Sequence, residues 1–142
     1  MDSYYAEAIR KMTIDNFKPH VVFAPMRGGA DFGIKVSNYF GIPFESIQWQ
    51  TRDGSAKDIA RLKELYTIYD GKNILIVDDI CDSGETLNGI ELASKYNRTN
   101  IRFAVAIENI ECSFACDYSA REISRTEDTQ WFVFPWEDWW RR

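Results

Sequence analysis

Basic charge is scarce in this 142-residue sequence: 17 lysines and arginines stand against 22 aspartates and glutamates, a formal net charge of -5. A face that neutralises a phosphate backbone needs the opposite balance, so no nucleic-acid partner is expected. Long apolar runs are missing as well. Nothing approaches the roughly 18 residues of a membrane span, and the opening MDSYYAEAIRK lacks the apolar segment of a secretion signal. No membrane contact and a cytoplasmic location are the expectations. Histidine occurs once, at His20, and cysteine three times, at Cys81, Cys112 and Cys116. An odd cysteine count without a secretion signal argues against a disulfide framework. A Cys-x3-Cys pair with its one histidine far away in sequence is also not the paired spacing of a structural zinc site.

What is present is an ordinary core. At 45% hydrophobic residues the chain can bury the interior of one domain, taken as residues 1–142, and not of two. Apolar runs alternate with amphipathic ones. SYYAEAIRKMTIDNF has helical spacing after a possible Ser3 cap, and ADFGIKVSNYF reads as a helix stopped by Gly41. DIARLKELYTIY and ETLNGIELASKY are two further helices. HVVFA, FESIQW, NILIVDD, IRFAVAIE and WFVF read as strands, NILIVDD being apolar enough to be covered on both faces. Strands joined through helices require parallel crossovers, so the fold class is α/β, a mostly parallel twisted sheet with helices on both faces.

Ligands of such a sheet gather at the carboxyl ends of its strands, which directs attention to PMRGG, to DICDSGET and to the segment after IRFAVAIE. In DSGET, Gly84 permits a sharp turn, Ser83 and Thr86 bring hydroxyls, and a helix starting near Glu85 aims free N–H groups back at the turn. That is a phosphate cradle, or simply a capped helix. The neighbouring acids favour a ligand. Asp78 and Asp79 have no basic neighbours in sequence and would be costly to bury unpartnered. Ionised carboxylates only accept hydrogen bonds, so they suit a vicinal diol or a hydrated Mg2+. A sugar phosphate meets both requirements, its hydroxyls on the acids and its phosphate in the turn.

The run VDDICDSGET resembles the phosphoribosyl-diphosphate motif of type I phosphoribosyltransferases. PMRGGADFGIKVSNYFGIP is similar to the diphosphate loop and following helix of that family, and DTQWFVFPWED to the base-binding segment of its xanthine-guanine and hypoxanthine branch. The resemblance implies a Rossmann-like sheet with a small C-terminal base-binding hood, phosphoribosyl diphosphate and a 6-oxopurine as substrates, and Mg2+ as cofactor. It places Arg27, Gly28 and Gly29 on the diphosphate, with Arg27–Gly28 as a candidate cis peptide. Arg52, in the polar QTRDGSAKD segment, would join them from a loop closing over the leaving group. Asp78 and Asp79 would take the ribose hydroxyls and the metal; Asp82, Ser83, Gly84, Glu85 and Thr86 the 5'-phosphate. Asp82 would also lie beside the purine N7 as general base or acid.

At the base the sequence departs from its relatives. They usually carry a lysine shortly after the IRFAVAIE-type strand to read the 6-oxo group, and AVAIENIEC offers Asn109 as the stand-in donor. Trp131 or Phe132 could stack on the base, with Glu137 close by, or WFVF could be a core strand. Four of the five tryptophans fall in WFVFPWEDWWRR, more apolar surface than one base needs, which implies a homodimer or homotetramer. Two rivals belong to other classes. A response-regulator receiver is too large for the chain that remains after Asn73. A catalytically idle relative that binds nucleotide or phosphoribosyl diphosphate as a sensor stays open, because a fold does not dictate an activity.

Overall fold

The structure, a computed structural model, describes residues 1–49, 58–94, 100–127, 132–137 and 139–141. Five strands, β1 (Val21–Met26), β2 (Phe44–Gln48), β3 (Asn73–Cys81), β4 (Asn100–Asn109) and β5 (Tyr118–Ile123), form one sheet in the order β2-β1-β3-β4-β5. Every pairing is parallel. Helices α1 (Asp2–Ile14), α2 (Ala30–Phe40), α3 (Ile59–Ile68) and α4 (Glu85–Leu92) cover it.

Alternation along the strands divides the core in two. Val22, Ala24, Leu75, Val77, Ala104 and Ala106 pack with Tyr5, Ala8 and Met12 of α1 and with Phe32 and Val36 of α2. Val21, Phe23, Ile74, Ile76, Phe103 and Val105 pack on the other face with Leu62, Leu65 and Tyr66 of α3 and Leu87 and Ile90 of α4. Each fully buried Leu, Ile or Phe stabilises by about 1.5 to 3 kcal/mol. Both layers hold the sheet from either side, as the unbroken apolar run of β3 requires.

Two local expectations are corrected. α1 begins at Asp2 without a side-chain cap, so Ser3 lies inside the helix. α3 instead has a true cap, Asp58, whose carboxylate accepts the Arg61 N–H at 2.9 Å. The WFVF segment is not a strand over its described part, 132–134; the last strand is YSAREI. Phe134 is buried without sheet pairing, stacked on Trp136 at 5.1 Å between ring centroids and packed against the α1/α2 layer. Pro135 follows directly and has no N–H to give a ladder.

The order of the strands creates the site. β1 leads through α2 outward to β2, whereas β3 leads through α4 the opposite way to β4. The loops leaving these two adjacent strands therefore diverge and open a crevice at their carboxyl ends.

Candidate active site

The acid pair sits where β3 departs from regular alternation. Ile74 and Ile76 face the α3/α4 layer, yet Ile80 packs with the α1/α2 layer and Cys81 with the other. Across this reversal Asp78 Oδ1 accepts the N–H of Asp79 at 2.9 Å, and Asp79 Oδ1 accepts the N–H of Ile80 at 2.7 Å. In the ladder with β4, Asp78 pairs with Val105 and Ile80 with Ile107, and Asp79 is passed over. Each carboxylate thus satisfies a backbone donor that the sheet gives up.

Burial pushes the Asp78 carboxyl well above the ordinary carboxylate range, and the neighbouring charge of Asp79 pushes it further. Asp79 rises too, chiefly through burial and with repulsion from Glu137 added, while hydrogen bonds from Asp78 and the Ile80 N–H hold it down. A buried and a half-buried acid in this state call for a cation.

The loop after β1 approaches the pair from above. Neither Gly28 nor Gly29 takes a left-handed φ; what they provide is space. A Cβ on Gly28 would lie 2.9 Å from Asp79 Oδ2 and 3.0 Å from Asp78 Oδ1, and one on Gly29 would lie 2.5 Å from the Val77 carbonyl oxygen. The cis peptide of the loop is Met26–Arg27, one bond earlier than expected. Arg27 is exposed.

After β3, Gly84 turns the chain with φ at +86° and α4 starts without a side-chain cap hydrogen bond. Ser83 Oγ accepts the Glu85 N–H at 3.2 Å, so the hydroxyl organises the turn, while the N-cap position expected of Asp82 or Ser83 is taken by Gly84. The first N–H groups of α4 still point out of the helix end, which favours an anion there.

These elements enclose a cavity of about 320 Å3. It is lined by Asp78, Asp79, Asp82, Ser83, Gly84, Glu85, Thr86, Phe132 and Glu137, all singled out in the sequence, and also by Ile80, Cys81, Leu87, Phe134 and Arg125. Gly28 borders the acids, and neither it nor Arg27 nor Gly29 lines the cavity. Arg52 and Trp131 lie outside the described residues.

Asn109 is placed differently from the expectation. It is 7% exposed; its Nδ2 donates to the Asp82 main-chain oxygen at 3.0 Å and reaches Asp82 Oδ1 at 3.5 Å. Its Oδ1 accepts the N–H of Glu111 at 3.2 Å and of Arg125 at 3.4 Å. The amide is engaged with the chain on both sides, so it fixes Asp82 and does not face a base. Glu108, its neighbour on β4, is similarly occupied, accepting the Cys116 N–H at 2.7 Å.

The residue that the sequence reading missed is Arg125. It follows β5, and its Nε and Nη2 donate to Asp82 Oδ1 and Oδ2, each at 3.1 Å. Its guanidinium carbon lies 5.3 Å from the centroid of the Phe132 ring. Nothing in ISRTED marks this arginine, since a polar mixed-charge stretch reads as solvated surface. The available signal was indirect: an acid-rich pocket needs a cation from somewhere.

Mg2+ passes a test against this donor set. Among the described residues no group of three His, Cys, Asp or Glu is set to hold a metal ion, which rules against a closed protein cage. Two hard carboxylates beside an anion cradle are how Mg2+ is usually held, with substrate oxygens and water completing the shell. The three cysteines are free thiols, Cys81 Sγ lying 3.5 Å from Cys112 Sγ.

With this geometry, the comparison with known proteins is direct. Residues 2–138 match the phosphoribosyl transferase domain family, and the chain belongs to that family. Its type I fold is shared with a purine phosphoribosyltransferase from Pyrococcus horikoshii Ot3, at 25% identity and a TM-score of 0.72 over 96% of this chain and 87% of that one. A Helicobacter pylori xanthine-guanine-hypoxanthine phosphoribosyltransferase aligns at 20% identity and a TM-score of 0.78, over 97% and 88% of the two chains. A Neisseria gonorrhoeae hypothetical protein with bound ppGpp aligns at 18% and 0.71, over 96% and 83%. The first two are the purine-branch neighbours that the sequence motifs imply. No curated protein matches by sequence. Among the described residues no helix is long and apolar enough to cross a membrane.

Proposed function

We propose that this chain, acting as a single domain, transfers the phosphoribosyl group of 5-phosphoribosyl 1-diphosphate to a 6-oxopurine, releasing diphosphate and the nucleoside monophosphate. The observation that carries this reading is the juxtaposition in one cavity of the acid pair, an open helix N-terminus beyond Gly84, and an aromatic wall of Phe132 and Phe134. Diol, phosphate and base each find a matching surface there.

In this reading Ser83, Gly84, Glu85 and Thr86 hold the 5'-phosphate through main-chain N–H groups and hydroxyls, and Asp78 and Asp79 accept the ribose hydroxyls. The same two carboxylates fit Mg2+, which when bound supplies positive charge to the departing diphosphate. Gly28 approaches the acids, and in this reading Arg27 and Gly29 beside it hold the departing diphosphate. Asp82 stands at the end of the same turn. It is placed to take the proton from the base as the new glycosidic bond forms, an effect typically worth about a hundredfold to ten-thousandfold. Phe132 bounds the base side of the cavity and Glu137 its rim near Asp79. Exposed Trp139 and Trp140 support assembly into a homodimer or homotetramer.

The test is direct. Incubating the protein with Mg2+, phosphoribosyl diphosphate and hypoxanthine, guanine or xanthine should yield the nucleoside monophosphate and diphosphate in equal amounts. One observation favours the second reading, an idle nucleotide sensor: both oxygens of Asp82 are already engaged by Arg125. Nucleotide binding without product from any base would establish that reading instead.

A further inference from the structure

Five carboxylates line the cavity, those of Asp78, Asp79, Asp82, Glu85 and Glu137, and Arg125 is the one cation among the described lining residues. It is held there with some care. Its side chain is 23% exposed against 45% for Asp82, so of the two partners the arginine is the better enclosed. Its main chain is tied to Asn109 Oδ1, and the Asn109 amide is tied to the Asp82 main chain. β3 and β5 thereby deliver Asp82 and Arg125 to one place, with Asn109 of β4 tying them together.

The pair presents an acceptor and a donor side by side. A carboxylate gripped by two parallel N–H groups can release one of them without leaving itself unpaired, because the second bond remains. The freed N–H is then a charged donor beside a carboxylate acceptor, against an aromatic ring. The N7–H tautomer of a free 6-oxopurine carries the complementary arrangement on its imidazole side, an O6 acceptor adjacent to an N7–H donor. Adenine carries an amino group in place of O6 and would set donor against donor.

We propose that Arg125 is the residue that selects the base: its guanidinium donates to O6 of a 6-oxopurine while Asp82 faces N7, and it thereby discriminates against 6-aminopurines. The inference rests on the transferase reading for the identity of the base site, and it deepens that reading by naming the group that reads the base. It also gives the loss of a β4 lysine a physical answer. The charged donor comes from the end of β5, next to the asparagine that stands in the lysine's neighbourhood. A charge-assisted hydrogen bond of this kind corresponds to roughly a ten- to hundredfold preference.

The experiment compares the wild-type protein with Arg125→Lys, which keeps the charge but loses the fork, and Arg125→Gln, which loses the charge. Steady-state kcat and KM are measured for hypoxanthine, guanine and adenine at saturating phosphoribosyl diphosphate and Mg2+. Wild type should favour the oxopurines over adenine. Arg125→Gln should raise the oxopurine KM by roughly tenfold or more and shrink the oxopurine-to-adenine ratio of kcat/KM by the same factor. Arg125→Lys should fall between, and the KM for phosphoribosyl diphosphate should stay within about twofold in both. If the variants lose kcat alike on every base with base KM and the ratio unchanged, Arg125 only holds Asp82 and the inference fails. A second measurement covers a variant that does not fold and a wild type that makes no product: calorimetric binding of IMP, GMP and AMP to the wild-type protein and the variants. Preference for IMP and GMP over AMP that is reduced in Arg125→Lys or Arg125→Gln, whichever folds, upholds Arg125 as a reader even where the transferase reading has failed. Equal affinity for all three, or a preference unchanged in the variants, overturns it.

Discussion

Replacing Asp78 by asparagine should stabilise the ligand-free protein at alkaline pH while removing a group that the proposed chemistry uses. A Cβ on Gly28 would touch both acids, at 3.0 Å from Asp78 Oδ1 and 2.9 Å from Asp79 Oδ2, so these oxygens lie no more than about 6 Å apart. At an effective dielectric constant of about 20, unit charges at that separation repel by roughly 3 kcal/mol. Burial of Asp78 penalises its ionised form in the same direction. An asparagine can still accept the Asp79 N–H that Asp78 Oδ1 now accepts, so the local backbone keeps its partner. The sign follows from proton linkage. The folded pKa of Asp78 is raised, so between the ordinary carboxylate range and that raised value the folded chain binds more protons than the unfolded one. Stability is full below the unfolded pKa, falls as pH rises through this window, and stays low above it. The wild type can soften the penalty by retaining a proton, which leaves an expected gain for D78N of about 1 to 3 kcal/mol at pH 9. Urea unfolding of both proteins from pH 4 to pH 9 in EDTA measures it. Equal stabilities at pH 9, or a less stable D78N there, would refute the account of the acid pair. On the proposed assignment phosphoribosyl diphosphate with Mg2+ should reverse the ranking, because the folded wild type would bind both more tightly than D78N.

Three further outcomes are expected. Asp82→Asn should keep phosphoribosyl diphosphate binding but lower turnover by about a hundredfold to ten-thousandfold, since an amide cannot take a proton; wild-type turnover would remove Asp82 from the proton transfer. Replacing both Asp78 and Asp79 by asparagine should weaken phosphoribosyl diphosphate binding and flatten its dependence on Mg2+ with the fold retained, and an unchanged calorimetric affinity across a Mg2+ titration would exclude the assignment. Gly29→Ala pushes a methyl group to 2.5 Å from a main-chain oxygen of β3 and should lower stability by about 1 to 3 kcal/mol, read as a drop in the urea midpoint at unchanged slope.

How much of this was legible in the sequence depended on how far apart the interacting residues lie along it. NILIVDD announced a doubly covered strand because both faces of β3 pack on apolar layers and every position shows it. The turn at Gly84 was legible for the same reason, its φ of +86° being a property of one residue and its neighbours. β5 was missed. YSAREI is an edge strand with two exposed charged residues, Arg121 and Glu122, and an edge pairs on one side only, so its sequence need not be apolar. WFVF was misjudged in the opposite direction. Its aromatics suit a strand, but Phe134 reaches the core from irregular backbone, by stacking on Trp136.

The base side of the site was least legible because its groups meet over long intervals. Asn109 is 27 residues from the Asp82 it fixes, and Arg125 is 43 residues away from the same carboxylate. No local pattern encodes either contact. Yet the charge balance of the pocket favoured one of them. Five carboxylates around about 320 Å3 concentrate negative charge that favours nearby cations, and Mg2+ at Asp78 and Asp79 would answer only one end. Asp82 lies at the other end, beside the aromatic wall, where a metal ion would find few oxygen ligands and a guanidinium can lie over Phe132. Mg2+ would thus serve the diphosphate and Arg125 the base, and the acids between them are what keeps the two positive charges apart.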